Sequence, residues 1–258
     1  MIYLVLTNMK YKIIYVLRKI LGVKTYLFLF SLFTIKRTKI FSNEDDFLHF
    51  ISLIPQDGTV LDIGANIGLN TVPLAQGRPR ATVFCFEPIP LNISTLGRVI
   101  NYYKLTNTKI FQTALGESNG ELKMIVPLVG NVLMTGLSHN YTGDSTSTDS
   151  TGEIINTSMR RLDDIPEIQS AEKITAIKID VENFEYQVLK GAQDTIVKHK
   201  PIIHCELWDN ENRILTMNYL KSLGYKVLVF MDEKLVDFTP DYPYVNFFFI
   251  PIETEESN

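Results

Sequence analysis

Three short stretches hold residue types able to bind a charged nucleoside and move a proton. The first is Asp62-Ile63-Gly64-Ala65-Asn66-Ile67-Gly68, a glycine turn that follows an apolar strand and opens a helix. Glycines permit a tight turn and the close approach of a ligand. The middle glycine of the Gly-x-Gly-x-x-Gly turn that receives a pyrophosphate is missing. An acid at Asp62 repels phosphate and attracts a cation. The second stretch is Glu87-Pro88, at the end of the next strand, where a carboxylate can accept two hydrogen bonds from a ribose diol. Asp62, Gly64, Asn66, Gly68 and Glu87 together describe a site for a cationic ribonucleoside. S-adenosylmethionine, with its ammonium, sulfonium and adenosine, fits that description.

The third stretch is Ile177-Lys178-Ile179-Asp180-Val181-Glu182, joined by His204 and Glu206 on a later apolar run. Lys178, Asp180 and Glu182 share the parity of one strand face, as do His204 and Glu206. A parallel sheet brings Asp180 and Glu206 to the same carboxyl edge. An alcohol proton is held about as tightly as that of water, so transfer of a group to a hydroxyl gains from a general base or a metal. Asp180 is the first candidate base, with Glu206 and His204 next. Asp180 and Glu206 are also the pair that would hold a divalent ion such as Mg²⁺. The bland readings are a hydrogen-bonded strand histidine at His204, a helix cap at Glu182, and an ammonium at Lys178 that holds an acid. Asp163 and Asp164 read as caps. Trp208 with Asp209 either flanks an acceptor or packs, and His49, His139 and His199 read as surface.

These residues need elements to position them. Thr59–Ile63, Ala81–Phe86, Lys109–Ala114, Ile174–Val181, Ile202–Leu207, Tyr225–Phe230 and Asn246–Ile250 read as strands. Gly68–Ala75, Leu91–Leu105, Glu185–His199 and Asn210–Leu223 read as helices. Strands alternating with helices imply a mostly parallel sheet covered on both faces. Glu121–Val126 and Glu153–Met159 read as the two arms of an inserted β-hairpin. Between them, 8 of residues 138–152 are Ser or Thr, a surface loop or a lid.

The 258 residues are 45% hydrophobic and 21% charged, with net charge −4. That is globular composition and excludes a strongly basic nucleic-acid binder. The charge is unevenly placed. Residues 1–43 carry eight Lys or Arg and no acid. Residues 9–21 follow a helical stripe, and their longest uncharged neighbour, Thr25–Ile35, is too short to span a bilayer. This head either packs on a domain comprising residues 44–258 or makes peripheral contact with a membrane. The setting this implies is cytoplasmic, at the membrane surface. Cys85 and Cys205 read as buried free thiols.

The motifs Val60–Gly68, Phe86–Pro90, Thr113–Gly120, Leu162–Ile165 and Ile177–Glu182 with Val188–Ala192 resemble, in order, those of the FkbM family of methyltransferases. The resemblance spans roughly residues 58–252. It implies a class I methyltransferase fold: an α/β, Rossmann-like, seven-stranded, mostly parallel sheet. It also implies O-methylation from S-adenosylmethionine, with a small-molecule or glycan hydroxyl as acceptor. Asp62, Gly64, Asn66 and Gly68 fall on the family's methionine-end turn, Glu87 on its ribose acid, and Asp180 and Glu182 on its acidic pair. The family's glycine after that pair is Asn183 here, the non-glycine residue most tolerant of a left-handed backbone. Two other functions stay open at this point. One is a nicotinamide-dependent oxidoreductase, against which the missing glycine speaks. The other is a degenerate cofactor fold acting as a membrane-docked interaction module, against which the intact Asp62, Glu87 and Asp180 speak.

Overall fold

The computed structural model describes residues 2–41, 45–141, 151–240 and 243–252. The chain opens with α1 (Ile2–Leu21) and α2 (Val23–Phe41). Gly22, at φ +73°, ends the first helix in the left-handed conformation that glycine adopts most easily. After α3 (Asp45–Leu53) come β1 (Thr59–Ile63), α4 (Thr71–Gly77), β2 (Thr82–Phe86), α5 (Pro90–Tyr103) and β3 (Thr108–Phe111). Pro90 starts α5 with its φ already helical.

An inserted block follows: β4 (Ala114–Leu115), β5 (Gly120–Val129), β6 (Val132–Leu133), β7 (His139–Asn140) and β8 (Gly152–Arg160). The main rhythm resumes with α6 (Pro166–Gln169), β9 (Ile174–Ile179), α7 (Glu185–Lys190), α8 (Gln193–His199), β10 (Ile202–Glu206) and α9 (Glu211–Ser222). It closes with β11 (Tyr225–Met231), β12 (Lys234–Asp237) and β13 (Asn246–Pro251).

The main sheet runs β12-β11-β13-β10-β9-β1-β2-β3. The five strands from β10 to β3 are parallel, and β13 is antiparallel to both its neighbours. The order reverses between β1 and β9, so the crevice beyond their carboxyl ends is where an open α/β sheet binds ligands. Helices cover both faces. Ile177, Ile179 and Leu61 face one buried cluster, while Val60, Ala176 and Phe248 face another under α3, α4 and α5. Phe247, Phe248 and Phe249 are all fully buried, each contributing about 1.5–3 kcal/mol of transfer free energy.

The seven expected strands are present, with β12 as an eighth at the edge. The expected helix Glu185–His199 is two helices, because Gly191 packs backbone to backbone. A Cβ there would lie 1.9 Å from the Gly116 carbonyl, and its own carbonyl accepts the Asp163 N–H at 3.0 Å. Asp163 then caps α8, accepting the Thr195 N–H at 2.9 Å and its hydroxyl at 2.7 Å. The two hairpin arms pair antiparallel from Gly120↔Met159 to Pro127↔Gly152. Of the Ser/Thr-rich run, residues 142–150 lie outside the described residues.

The head packs on the domain through α2. Leu27, Ser31 and Ile35 are buried, and Ile35 packs with Val72 and Val99. The Arg98 guanidinium lies 4.3 Å over the Phe28 ring and donates to the Lys24 carbonyl at 3.1 Å. α1 is different, with Ile13, Val16 and Ile20 exposed. Among the described residues no helix is long and apolar enough to cross a membrane.

The closest backbone approach in the crevice is at Gly64, φ +77°, where a Cβ would sit 1.9 Å from the Asp180 carbonyl oxygen. Neither partner can yield, since both are main chain at the ends of central strands. Gly64→Ala is expected to lower stability by more than about 2 kcal/mol, measured by urea unfolding. Gly97→Ala, in the interior of α5 with open space around it, should instead raise it by about 0.5–1 kcal/mol.

Candidate active site

The turn after β1 is held by its neighbour strand. The N–H groups of Gly64 and Ala65 both donate to the Phe86 carbonyl at 3.0 Å. Asn66, at φ +50°, then donates its N–H to Glu87 Oε2 at 2.9 Å. The other Glu87 oxygen accepts the Ile89 N–H at 2.9 Å and the Asn92 amide at 3.1 Å. Burial pushes the Glu87 carboxyl up to about 7, against the pull of those donors. Asn92 Oδ1 is left buried without a hydrogen-bond partner.

Glu87 and Asn92 line a narrow cleft of about 70 Å³ with Gly64, Asn66, Asp180 and Glu182. Ligand pockets usually measure about 300–1,000 Å³. The 3-10 turn Thr135–Leu137 of the inserted block lies across the cleft, and a Cβ on Gly136 would come within 3.1 Å of the Asn66 amide. This turn is the element that must yield to a larger ligand. Sequence reading missed it, because nothing in its residue types marks it. Next to the cleft is a smaller apolar one, about 40 Å³, lined by Phe86, Thr113, Leu122, Met124 and Phe184.

The acidic edge is organised by Lys178, which is buried in β9. Its ammonium lies 3.4 Å from Asp180 Oδ2 and 3.7 Å from Asp62 Oδ1, and donates to the Gly64 carbonyl at 3.2 Å. Burial pulls the Lys178 pKa down, but Asp180, Asp62 and Glu206 outweigh it and the net shift is upward. Asp180, Glu206, His204 and Lys178 line a polar cleft of about 110 Å³ with Asn70 and Asn246. Burial, then repulsion from Asp180, pushes Glu206 up to about 7. The same two causes push Glu182 up to about 7, with Glu206 and Glu185 adding to the shift.

Several expected residues stand elsewhere. Asp62 is fully buried under the turn, takes the Thr71 hydroxyl at 2.6 Å, and lines neither cleft. Its role is to hold Lys178. Gly68, at φ +90°, lies against Leu96 and Val99 of α5, so it serves packing. The acid that braces the entry to α7 is Glu185, the first residue of that helix. Its carboxylate accepts the N–H groups of Val181 and Asn183 at 3.3 and 3.1 Å and is clamped by the Asn212 amide. Glu182 and Asn183 are both left-handed, at φ +53° and +70°, which turns Glu182 toward the Glu87 cleft.

His204 sits among Phe47, Phe50 and Phe248, with Nε2 3.8 Å from Asp46 Oδ2. Asp46 was not anticipated because α3 lies upstream of every motif. His199 is buried, its Nδ1 3.3 Å from the Ile174 N–H, rather than on the surface. Trp208 is half exposed and Asp209 pairs with Arg213 at 3.2 Å; neither lines the polar cleft. The pair Asp180–Glu206 does not gather a metal's ligands. Among the described residues no group of three or more His, Cys, Asp or Glu is arranged to hold a metal ion, and the positive charge beside Asp180 is the Lys178 ammonium.

Residues 62–227 match the methyltransferase FkbM domain. Methyltransferase 1 of Beauveria bassiana is 28% identical over 197 residues, covering 69% of this chain and 76% of its own. 2-O-methyltransferase NoeI of Sinorhizobium fredii is 28% identical over 180 residues, covering 62% and 68%. 31-O-demethyl-FK506 methyltransferase FkbM of Streptomyces tacrolimicus is 30% identical over 176 residues, covering 60% and 67%. The crystal structure of methyltransferase FkbM from Methylobacillus flagellatus superposes with TM-score 0.51 at 22% identity over 75% of this chain. This chain spans 44% of that one, and the likeness is one of fold.

The raised acids make stability depend on pH. A carboxyl raised from 4.5 to about 7 on folding keeps its proton in the folded chain through that window and loses it in the unfolded chain. Stability therefore falls as pH rises from 4.5 to 7. Glu206→Gln removes one such group. It should leave the unfolding free energy unchanged near pH 4.5 and raise it at pH 8, by on the order of 1 kcal/mol once partial exposure is allowed for, as urea unfolding at the two pH values would show. An equal effect at both pH values would mean that Glu206 is not held neutral by its surroundings.

Proposed function

The chain belongs to the FkbM methyltransferase family, and from that membership we propose that it transfers a methyl group from S-adenosylmethionine to a hydroxyl of a neutral acceptor, of the sugar or glycan class. The observation that carries this reading is the position of Asp180. It is the one residue of the acidic edge that lines both the Glu87 cleft and the polar cleft with Glu206 and His204. Donor and acceptor would meet there.

The donor set fits the nucleoside. Glu87 and the partnerless Asn92 Oδ1 offer acceptors for ribose hydroxyls, and the small cleft at Phe86, Met124 and Phe184 is apolar enough for a purine. Asp180 and Glu182 place negative charge where a sulfonium would lie. When bound, S-adenosylmethionine supplies a methyl group made electrophilic by its sulfonium.

On the acceptor side, Asp46, Asp180 and Glu206 repel an anion and suit a neutral diol, which Asn70, Asn246 and His204 can orient. Asp180 or Glu206 takes the hydroxyl proton; a base near neutral pKa suits that task. Lys178 holds Asp180 in register with the turn, and the Thr135–Leu137 turn excludes water. The relatives named as a 2-O-methyltransferase and a 31-O-demethyl-FK506 methyltransferase support an oxygen acceptor. Family membership argues against the nicotinamide alternative.

Calorimetry is expected to detect S-adenosylmethionine and S-adenosylhomocysteine but not NAD. Glu87→Ala should weaken both ligands about tenfold or more. An unchanged affinity, or no binding by the parent protein, would leave an interaction module as the better reading.

Asp180→Asn should keep its affinity for S-adenosylhomocysteine, whose sulfur carries no charge. Its turnover on a neutral sugar acceptor should fall by about 10²–10⁴. Normal turnover would move the base to Glu206 or His204.

A further inference from the structure

A cleft larger than those at the acidic edge lies elsewhere in the structure. It measures about 840 Å³ and lies between the inserted block and the head. Its walls are Leu91 of α5, Val126 and Leu128 of β5, Val132 of β6, and Ile154 and Ile155 of β8. The helix α1 closes the other side with Tyr15, Arg18 and Lys19. The volume lies in the range of ligand sites, and the walls are aliphatic rather than aromatic.

The rim is basic. Arg18 donates to the Leu133 carbonyl at 2.6 Å, and its Nε is buried without a partner. The Lys19 ammonium stands 5.0 Å over the Tyr15 ring. Glu153 is the only acid along the lining. The surface beside the rim is apolar: Ile13, Val16 and Ile20 of α1 and Phe33 of α2 are exposed, Ile20 by 74%. Residues 1–43 bear no acid. A long aliphatic cleft, a cationic rim and an apolar, positively charged approach match one kind of molecule.

We propose that this cleft holds the hydrocarbon chain of an anionic membrane amphiphile, with the headgroup on Arg18 and Lys19 and α1 lying against the bilayer that supplies it. The inference does not rest on methyl transfer. It has a consequence for the other site, because Ile89 and Thr135 line both clefts. A chain in this cleft touches the turn that covers Glu87.

The test uses the full chain and n-alkyl phosphates below their micelle concentration, read by calorimetry. Saturable one-to-one binding of n-decyl phosphate is expected. Affinity should rise about two- to fourfold per added methylene from octyl to dodecyl, the increment for burying a CH₂. Ile154→Glu, at a half-exposed wall position, should weaken decyl phosphate at least about tenfold while leaving the melting temperature and S-adenosylhomocysteine binding unchanged.

Lys19→Glu should weaken decyl phosphate several-fold, and n-decanol should bind more weakly than the phosphate. The protein should also sediment with phosphatidylglycerol vesicles and not with phosphatidylcholine vesicles. Absence of saturable binding, no chain-length dependence, or full affinity in Ile154→Glu overturns the proposal. Equal binding of decanol removes the headgroup site. Binding of decyl phosphate without sedimentation on anionic vesicles removes the membrane as the source.

Discussion

The Lys178 ammonium is the contact on which the crevice depends. It is buried at the switch point of the sheet, where two parallel strands end and no hydrogen-bond ladder continues. From there it reaches Asp62 on β1, Asp180 beyond β9 and the carbonyl of Gly64 in the turn. Two segments more than a hundred residues apart, 62–64 and 178–180, are thus fixed to one cation. A buried charge is tolerable only when paired, and removing one member of such a pair typically costs about 3–5 kcal/mol. The glycine turn, the Asp180 carboxylate and the strand ends therefore cannot drift independently. Gly64 can have no Cβ for the same reason: the segments that Lys178 draws together meet main chain to main chain.

A second constraint aims the acids. After β9 the chain must leave the sheet and enter α7 within a few residues. It does so through Glu182 and Asn183, both left-handed. For Asn this is mild, but for Glu it is strained. Glu185 holds the bend by accepting the N–H groups of Val181 and Asn183, and Asn212 of α9 clamps the far side of that carboxylate. Asn210 adds a 2.6 Å bond to the Asn183 side chain. Strain at Glu182 is offset by a polar network reaching across two helices, and the result is a carboxylate turned into the Glu87 cleft.

What the sequence made legible was the part governed by local chemistry. The boundaries of β1 match the expected Thr59–Ile63, because an apolar run ending in a glycine turn has few alternatives. The left-handed Asn183 followed from its residue type. Other features depend on contacts no local pattern encodes. The break at Gly191 arises from the Gly116 carbonyl some seventy residues upstream. The eighth strand escaped notice because Asp232 and Glu233, both at positive φ, make its hairpin turn without the Asn-Gly or Asp-Gly pair that usually announces one. Asp62 looked like a ligand because its position beside the glycines is the same whether it faces the cleft or the core. Only the packing of Thr71 and Lys178 around it decides that.

The charge balance at the edge links occupancy to proton affinity. Asp62, Asp180 and Glu206 all act on a single Lys178, and one cation cannot neutralise three acids. The surplus adds to burial at Glu182 and Glu206: desolvation first, then repulsion from Asp180, pushes both carboxyls up to about 7. A cationic ligand brought against Asp180 and Glu182 supplies the missing positive charge. By linkage it must then lower the proton affinity of the acids it faces, and the same acids in their ionised form must hold it more tightly. The acids thus hold their protons more tightly when the edge is empty and give them up more readily when a cation is seated. An anion would reverse that balance at both clefts. The acidic edge therefore favours a cation over an anion, and seating a cation there draws protons off Glu182 and Glu206.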